Sequence, residues 1–177
     1  MQIYVVRHGE TNVNVENRIN STNDDDLNEK GIREATELRE IVKDIDYDFI
    51  ISSPLVRAKH TAELLNAKEK EIILDKRLQE RDAGTYTKTS IDDIDSYDWW
   101  NVYPQKDYGN AEKVLDVISR VHEFLDEIKE KYKDKNIILV THGGISKTIN
   151  CYFTGIPKDG NISTYSHNHC EILTYKL

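Results

Sequence analysis

Ile3-Tyr4-Val5-Val6-Arg7-His8-Gly9-Glu10-Thr11 is the stretch that decides how this chain is read. Four apolar residues, mostly β-branched, predict a buried strand over about residues 2 to 6. A guanidinium and an imidazole then stand side by side where that strand runs out into a loop. Arginine presents a planar fork of donors suited to phosphate oxygens, and histidine can act as a nucleophile near neutral pH. Gly9 lets the backbone approach a ligand with no Cβ in the way.

Working outward, two more apolar runs end in the same manner. Tyr47 to Ser52 leads into Ser53-Pro54, and Ile137 to Thr141 leads into His142-Gly143-Gly144. Between them, helical periodicity covers about Asn28 to Lys43, with Ile32, Ala35, Leu38, Val42 and Ile45 on one face. Ser53 is expected to cap a helix with Pro54 at its first position, where the missing N–H costs nothing. A short strand is predicted near Ile72 to Leu74, then an irregular stretch from about Arg81 to Asn110. Val114, Ile118, Val121, Leu125, Ile128 and Tyr132 mark one stripe of a long amphipathic helix from about Ala111 to Lys133. A helix over Ile145 to Phe153 and strands near Ile162 to Tyr165 and Glu171 to Tyr175 complete the pattern. Strands alternating with helices imply an α/β fold, a three-layer α/β/α sandwich with a mostly parallel central sheet. Ligands of such sheets bind beyond the carboxyl ends of the strands. If the three strands are parallel neighbours, Arg7, His8 and His142 converge there, with Arg57 near the start of the next helix. Two arginines and two histidines around one point suit a phosphoryl group.

Composition narrows the classes. The 177 residues fit one domain, large enough to bury a core without staples. A net charge of -8 argues against a nucleic-acid or anionic-membrane surface. No apolar run is long enough to span a membrane, and no signal peptide is visible. Cys151 and Cys170 lack metal or disulfide spacing and read as reduced thiols, so a cytoplasmic location is expected.

The motifs together resemble the histidine phosphatase superfamily, also called phosphoglycerate-mutase-like, over nearly the whole chain. Arg7-His8-Gly9-Glu10-Thr11 with Asn14 fits R-H-G-E-T-x-x-N, and Arg18, Asp24, Leu27 and Gly31 keep the register of the loop that follows. Ser52 through Ala62 fits S-S-P-L-x-R-A-x-x-T-A at every fixed position. Leu78-Gln79-Glu80 with Gly84 fits the acid motif, and Thr141-His142-Gly143-Gly144 the second histidine motif. Glu112, Asp116, Val117 and Arg120 match a further helical segment. Five motifs in order and at the right spacing carry far more weight than one. The resemblance implies a phosphohistidine on His8, with Glu80 as general acid and base. It also implies that Arg7, Asn14, Arg57, His142 and Gly143 bind the phosphoryl group, Arg7, Arg57 and His142 through the transition state, with no metal and no cofactor. The implied partner is a small phosphate ester, and the implied assembly a monomer or homodimer.

Departures from the family pattern fall outside that set. Asn20, Ser21, Asp26 and Asn28 replace the usual loop residues, and Ala83-Gly84-Thr85-Tyr86-Thr87-Lys88 replaces F-G-x-W-E-G. The segment of about 85–110 carries Trp99 and Trp100 and reads either as a lid over the crevice or as a packed insert or dimer contact. His167 and His169 read as a polar strand end rather than a metal site, His60 and His122 as solvated or packed, and Asp24-Asp25-Asp26 as a solvated loop. The short, acidic insert favours hydrolysis over a phosphoglycerate mutase, and retention of His8 and Glu80 disfavours a non-catalytic phospho-ligand binder.

Overall fold

The apolar runs alternate faces, and that alternation builds the molecule. A computed structural model describes residues 1–177. The elements are β1 (Gln2–Arg7), α1 (Asn12–Val15), α2 (Glu29–Val42), β2 (Phe49–Ser52), α3 (Val56–Leu65), β3 (Ile72–Leu74), α4 (Ser96–Trp99), α5 (Val114–Lys131), β4 (Ile137–Thr141), α6 (Gly143–Thr154) and β5 (Ile172–Lys176). One sheet has the order β3-β2-β4-β1-β5. Only β5 is antiparallel, pairing with β1 at the edge. Successive strand residues point to opposite faces. Ile3, Val5, Ile51, Ile137 and Leu139 pack on α5 and α6 through Val121, Phe124, Ile145 and Ile149. Val6, Ile50, Ile138 and Val140 pack on α2 and α3 through Leu38, Val42, Ala58 and Leu65. Burying each such side chain contributes about 1.5–3 kcal/mol before entropy is counted. The result is the expected α/β/α sandwich.

Most elements lie within a few residues of their expected bounds, and the differences have physical causes. Ile162 to Tyr165 form no strand: β5 takes the edge beside β1, and Asn161 makes only an isolated bridge to Asn101. Ser53 caps no helix. The N-cap of α3 is Leu55, with no side-chain cap, and Asp24 Oδ1 accepts from Val56 N at 3.0 Å instead. Asp24 is exposed yet works as a remote cap, while Asp25 pairs with Lys88 and Asp26 with His60. The acidic loop is thus tied down rather than simply solvated. Helix α5 starts at Val114, three residues later than the expected Ala111, and Ile32 on α2 is exposed rather than buried.

Strands β2, β4 and β1 are consecutive in the sheet and parallel. Their ladders continue one residue past the strand ends. His8 N donates to Thr141 O and Ser53 N to Val140 O, each at 2.9 Å. Three loops leave the sheet side by side, and the first residues of two of them, His8 and Ser53, are fixed by backbone pairing.

Candidate active site

His8 follows β1 directly and is almost fully buried. Its Nδ1 lies 2.7 Å from Gly9 O, an acceptor only, so Nδ1 carries the proton and Nε2 keeps a lone pair. Arg57 Nε donates to that Nε2 at a long 3.3 Å. Burial, then Arg57, then Arg7 hold the imidazole well below its ordinary pKa, so it is neutral at pH 7.

Arg57 sits at the start of α3 with no exposed surface. Its Nη atoms donate to Asn23 O at 2.8 Å and Ser21 O at 2.7 Å. Burial lowers its pKa to about 10, which leaves it charged. Thr61, one turn on, donates to Arg57 O and accepts from Gly9 N, locking α3 to the loop after β1. Gly9 and Gly31 permit that packing: a Cβ on Gly9 would meet Gly31 O at 2.5 Å. Ser21 stands where the family has glycine and is buried, its hydroxyl accepting from Ala83 N at 2.8 Å.

His142 is the N-cap residue of α6, and its ring lies 5.1 Å from that of His8 between centroids. Its Nε2 is 2.8 Å from Ser53 Oγ, which itself accepts from Leu55 N. The hydroxyl proton has no other acceptor, so this network assigns it to Nε2 and leaves Nδ1–H on His142. Burial, then Arg57, His8 and Arg7, keep this ring neutral as well. Two buried polar atoms in this cluster lack any partner, His142 Nδ1 and Arg7 Nε. Buried donors are rarely left unpaired, and an oxyanion would satisfy both. Arg7 otherwise donates to His167 O at 2.8 Å and lies against Gly143 at the start of α6.

Glu80 approaches from the segment after β3. Its carboxylate accepts from Gly144 N at 3.1 Å and from Arg81 N at 2.9 Å. Gly144 is obligatory there, because a Cβ would stand 2.3 Å from both Glu80 Oε1 and the Trp100 ring. Arg7, His8, Asn14, Glu80 and Gly143 line one cavity of about 330 Å3, while Arg57 and His142 lie buried behind its floor. Asn14 uses Oδ1 to accept from Thr11 N at 3.0 Å, which leaves its amide N–H groups for a ligand.

Several wall residues carry no motif. Arg81 is buried, stacks 4.1 Å from the Trp99 ring centroid and donates to Glu112 O. Lys147 lies on the cavity four residues beyond Gly143, a spacing that places both on one helix face. Trp99 is buried edge-to-face against Tyr108 at 4.8 Å, and both Trp99 and Trp100 border the cavity. His167 lies in the loop before β5 and is buried, bonding Ser146 Oγ at 2.7 Å and Glu171 O at 3.0 Å. It shares no ligand set with His169, which instead falls in with Glu10 and Glu34, their ligand atoms within 4.8 Å. Lys30 already occupies that carboxylate pair, 2.7 Å from Glu10 and 3.6 Å from Glu34. His60 pairs with Asp26, and His122 bonds Thr148 O; both lie outside the cavity.

Cationic and imidazole groups converging at the ends of adjacent parallel strands, beside one carboxylate, define an α/β protein built to handle a phosphoryl group. The chain belongs to the histidine phosphatase superfamily (branch 1), whose profile matches residues 3–176. It is 33% identical over 142 residues to the "Uncharacterized phosphatase PhoE" of Bacillus subtilis, covering 80% of this chain and 71% of that protein. It is 34% identical over 150 residues to "Probable phosphoglycerate mutase GpmB" of Salmonella choleraesuis, covering 81% and 70%. The fold matches a mycobacterial glucosyl-3-phosphoglycerate phosphatase solved with VO3 (TM-score 0.85, 23% identity, 98% and 91% coverage). It also matches a phosphoserine phosphatase of Entamoeba histolytica in complex with phosphoserine (TM-score 0.86, 23% identity, 98% and 89% coverage). No helix is long and apolar enough to cross a membrane.

Proposed function

We propose that this chain hydrolyses small phosphate monoesters through a phosphohistidine on Nε2 of His8. The observation that carries the reading is the pairing of His8 Nδ1–H with Gly9 O, which aims an unprotonated Nε2 at the cluster holding Arg57 and two orphaned donors. A phosphate oxygen takes the Arg57 Nε–H and frees the Nε2 lone pair. That pair attacks phosphorus in line while the ester P–O bond breaks. Arg7, Arg57 and His142 Nδ1–H hold the equatorial oxygens, and Asn14 and the first turn of α6 at Gly143 add neutral donors. Glu80 gives its proton to the leaving oxygen, then takes one from the water that attacks phosphorus and returns the P–N electrons to His8. The side chains supply the positive charge, so the reaction is read as metal-independent and is expected to survive chelator.

Cys151 and Cys170 are both unpaired thiols, which suits the reducing cytoplasm as the working compartment. The segment of about 85–110, anchored by Trp99, is read as the part of the wall that meets the substrate's organic portion. Rapid quench with a 32P-labelled ester tests the mechanism. Acid-labile, alkali-stable label on the wild type and none on His8→Ala is expected; equal turnover by both proteins would remove His8 from the reaction. The mutase reading has one observation of its own, the identity to a protein of that name. Isomerisation of a phosphoglycerate without phosphate release would favour it.

A further inference from the structure

Of the two arginines beside His8, one is clamped and the other is not. Arg57 donates to Asn23 O, Ser21 O and His8 Nε2, three acceptors spread around its guanidinium. The Arg7 guanidinium makes one hydrogen bond within the protein, from Nη1 to His167 O at 2.8 Å. Its flank rests on Gly143, where an added Cβ would stand 3.4 Å from Nε and Cζ. Its Nε–H is buried and unpartnered, the donor left for phosphate. A long side chain with one tether keeps its aim only as well as that tether does.

The tether belongs to an irregular stretch, residues 155–171 between α6 and β5, with no ladder to hold it in place. The His167 side chain takes over that task. Only 4% exposed, it turns inward where loop side chains ordinarily face water. Its Nε2 lies 3.0 Å from Glu171 O, an acceptor only, so Nε2 carries the proton. Burial keeps the ring neutral at pH 7, and Nδ1, 2.7 Å from Ser146 Oγ, takes the hydroxyl proton. Ser146 is on α6, one turn from His142, whose carbonyl accepts from Ser146 N. One imidazole therefore spans the helix that begins after His142 and the entry to β5, and its own main chain carries the Arg7 tether. Lys147, the next residue of α6, holds the same loop by Ser163 O and Tyr165 O.

Resting on the reading of this cavity as a phosphoryl site, we propose that His167 is a positioning residue for the reaction. Its ring, braced by Ser146 Oγ and Glu171 O, sets the carbonyl that aims Arg7 at the phosphate. Its contribution to turnover runs through Arg7.

A double-variant cycle tests this, with p-nitrophenyl phosphate as the probe. His167→Leu loses both ring bonds and should lower kcat/KM by about tenfold, the scale of a misaimed group. In an Arg7→Met background there is no guanidinium to aim, and the same change should cost less than about twofold. His167→Gln keeps a donor and an acceptor on the side chain and should return to within about threefold of wild type. Equal losses in the two backgrounds would mean that His167 only stabilises the fold, and they overturn the proposal. A His167→Leu enzyme as active as the wild type overturns it too. Should His167→Leu fail to fold by circular dichroism, Ser146→Ala removes one brace and carries the same cycle, with about a threefold loss beside Arg7 and none without it. The same loss in both backgrounds is again the overturning result. The hydrolysis reading is judged apart from this. If no ester is turned over, that reading fails, and calorimetric Kd values for inorganic phosphate across the same cycle decide the positioning role by the same comparison.

Discussion

The floor of the cavity and its outer wall are held by different forces. On the floor, backbone pairing of the sheet carries directly into the site through His8 N and Ser53 N, each 2.9 Å from its carbonyl on β4. Each imidazole there has one nitrogen fixed by a partner, Gly9 O for His8 and Ser53 Oγ for His142. The wall has no ladder behind it. Arg81 is held by stacking on Trp99, Trp99 by Tyr108, and Lys147 by loop carbonyls. A floor fixed by the sheet keeps one chemistry, whereas a wall fixed by side-chain packing changes with each substitution. Chemistry and specificity are thereby assigned to separate parts of one cavity.

The largest effect that sharpens this contrast belongs to Glu80, which reaches over the floor. Glu80→Gln keeps one of the two main-chain bonds, since Arg81 N and Gly144 N donate to different oxygens and the amide has only one, and it cannot give up or take a proton. Steady-state turnover of an alkyl phosphate should fall by about 10²–10⁴-fold. The first-turnover burst of p-nitrophenol should be largely spared, because that leaving group departs without a proton. A burst reduced as much as alkyl turnover would break the assignment of acid to Glu80.

Floor and wall touch at Gly144. An added Cβ would press on Glu80 Oε1 and on the Trp100 ring, both at 2.3 Å, and neither side can yield without moving part of the site. Gly144→Ala should lower kcat by about 10–10²-fold, the scale set by misplacing a reacting group. Trp100→Ala made in the same chain opens the wall side and should recover part of the loss, read by kinetics of the double variant. No recovery would mean that the floor and wall are not coupled there.

Ser53 acts through another residue and should cost less. In Ser53→Ala the Nε2 of His142 loses its donor, and the ring is free to move its proton to Nε2 and withdraw Nδ1–H from the phosphate position. A fall in kcat of about tenfold is expected for one lost transition-state donor. Nitrogen-15 shifts give the readout that simple loss of packing would not move: Nδ1-protonated His142 in the wild type and an Nε2-protonated form in the variant. An unchanged tautomer in the variant would end this role for Ser53.

How much of this was legible in the sequence follows the same division. Apolar runs ending in His8, Ser53 and His142 announce the floor, because a parallel strand must be apolar on both faces and its loop must not. The N-cap reading of Ser53 fails because α3 starts only at Val56, so its hydroxyl meets Leu55 N just ahead of the helix, and its bond to His142, 89 residues away, is a contact that local propensity does not contain. Ile162 to Tyr165 has strand-like residues but pairs with no strand of the sheet, where β5 takes the place beside β1. Arg81 and Lys147 are ordinary residues in ordinary positions; only the fold, which sets them on the cavity wall, makes them functional candidates.

The smallest change is expected on titration, and it separates this floor from a solvent-exposed histidine pair. Burial and the adjacent arginines hold His8 and His142 well below the ordinary 6.5. Their ring resonances should therefore stay put between pH 7.5 and pH 6, where a free imidazole would already be about three-quarters protonated at the lower end. Linkage gives the sign for stability. Below about 6.5 the unfolded chain takes up protons on these two residues that the folded chain refuses, so folding stability drops as pH falls through that range. Above it both states are neutral and the contribution is flat. Urea midpoints at pH 7.5, 6.5 and 5.5 in wild type and in His142→Gln check this, with a shallower acid slope in the variant. An equal slope in both proteins, or resonances of His8 moving near pH 6.5, would show that the floor admits water and that its histidines titrate like any others.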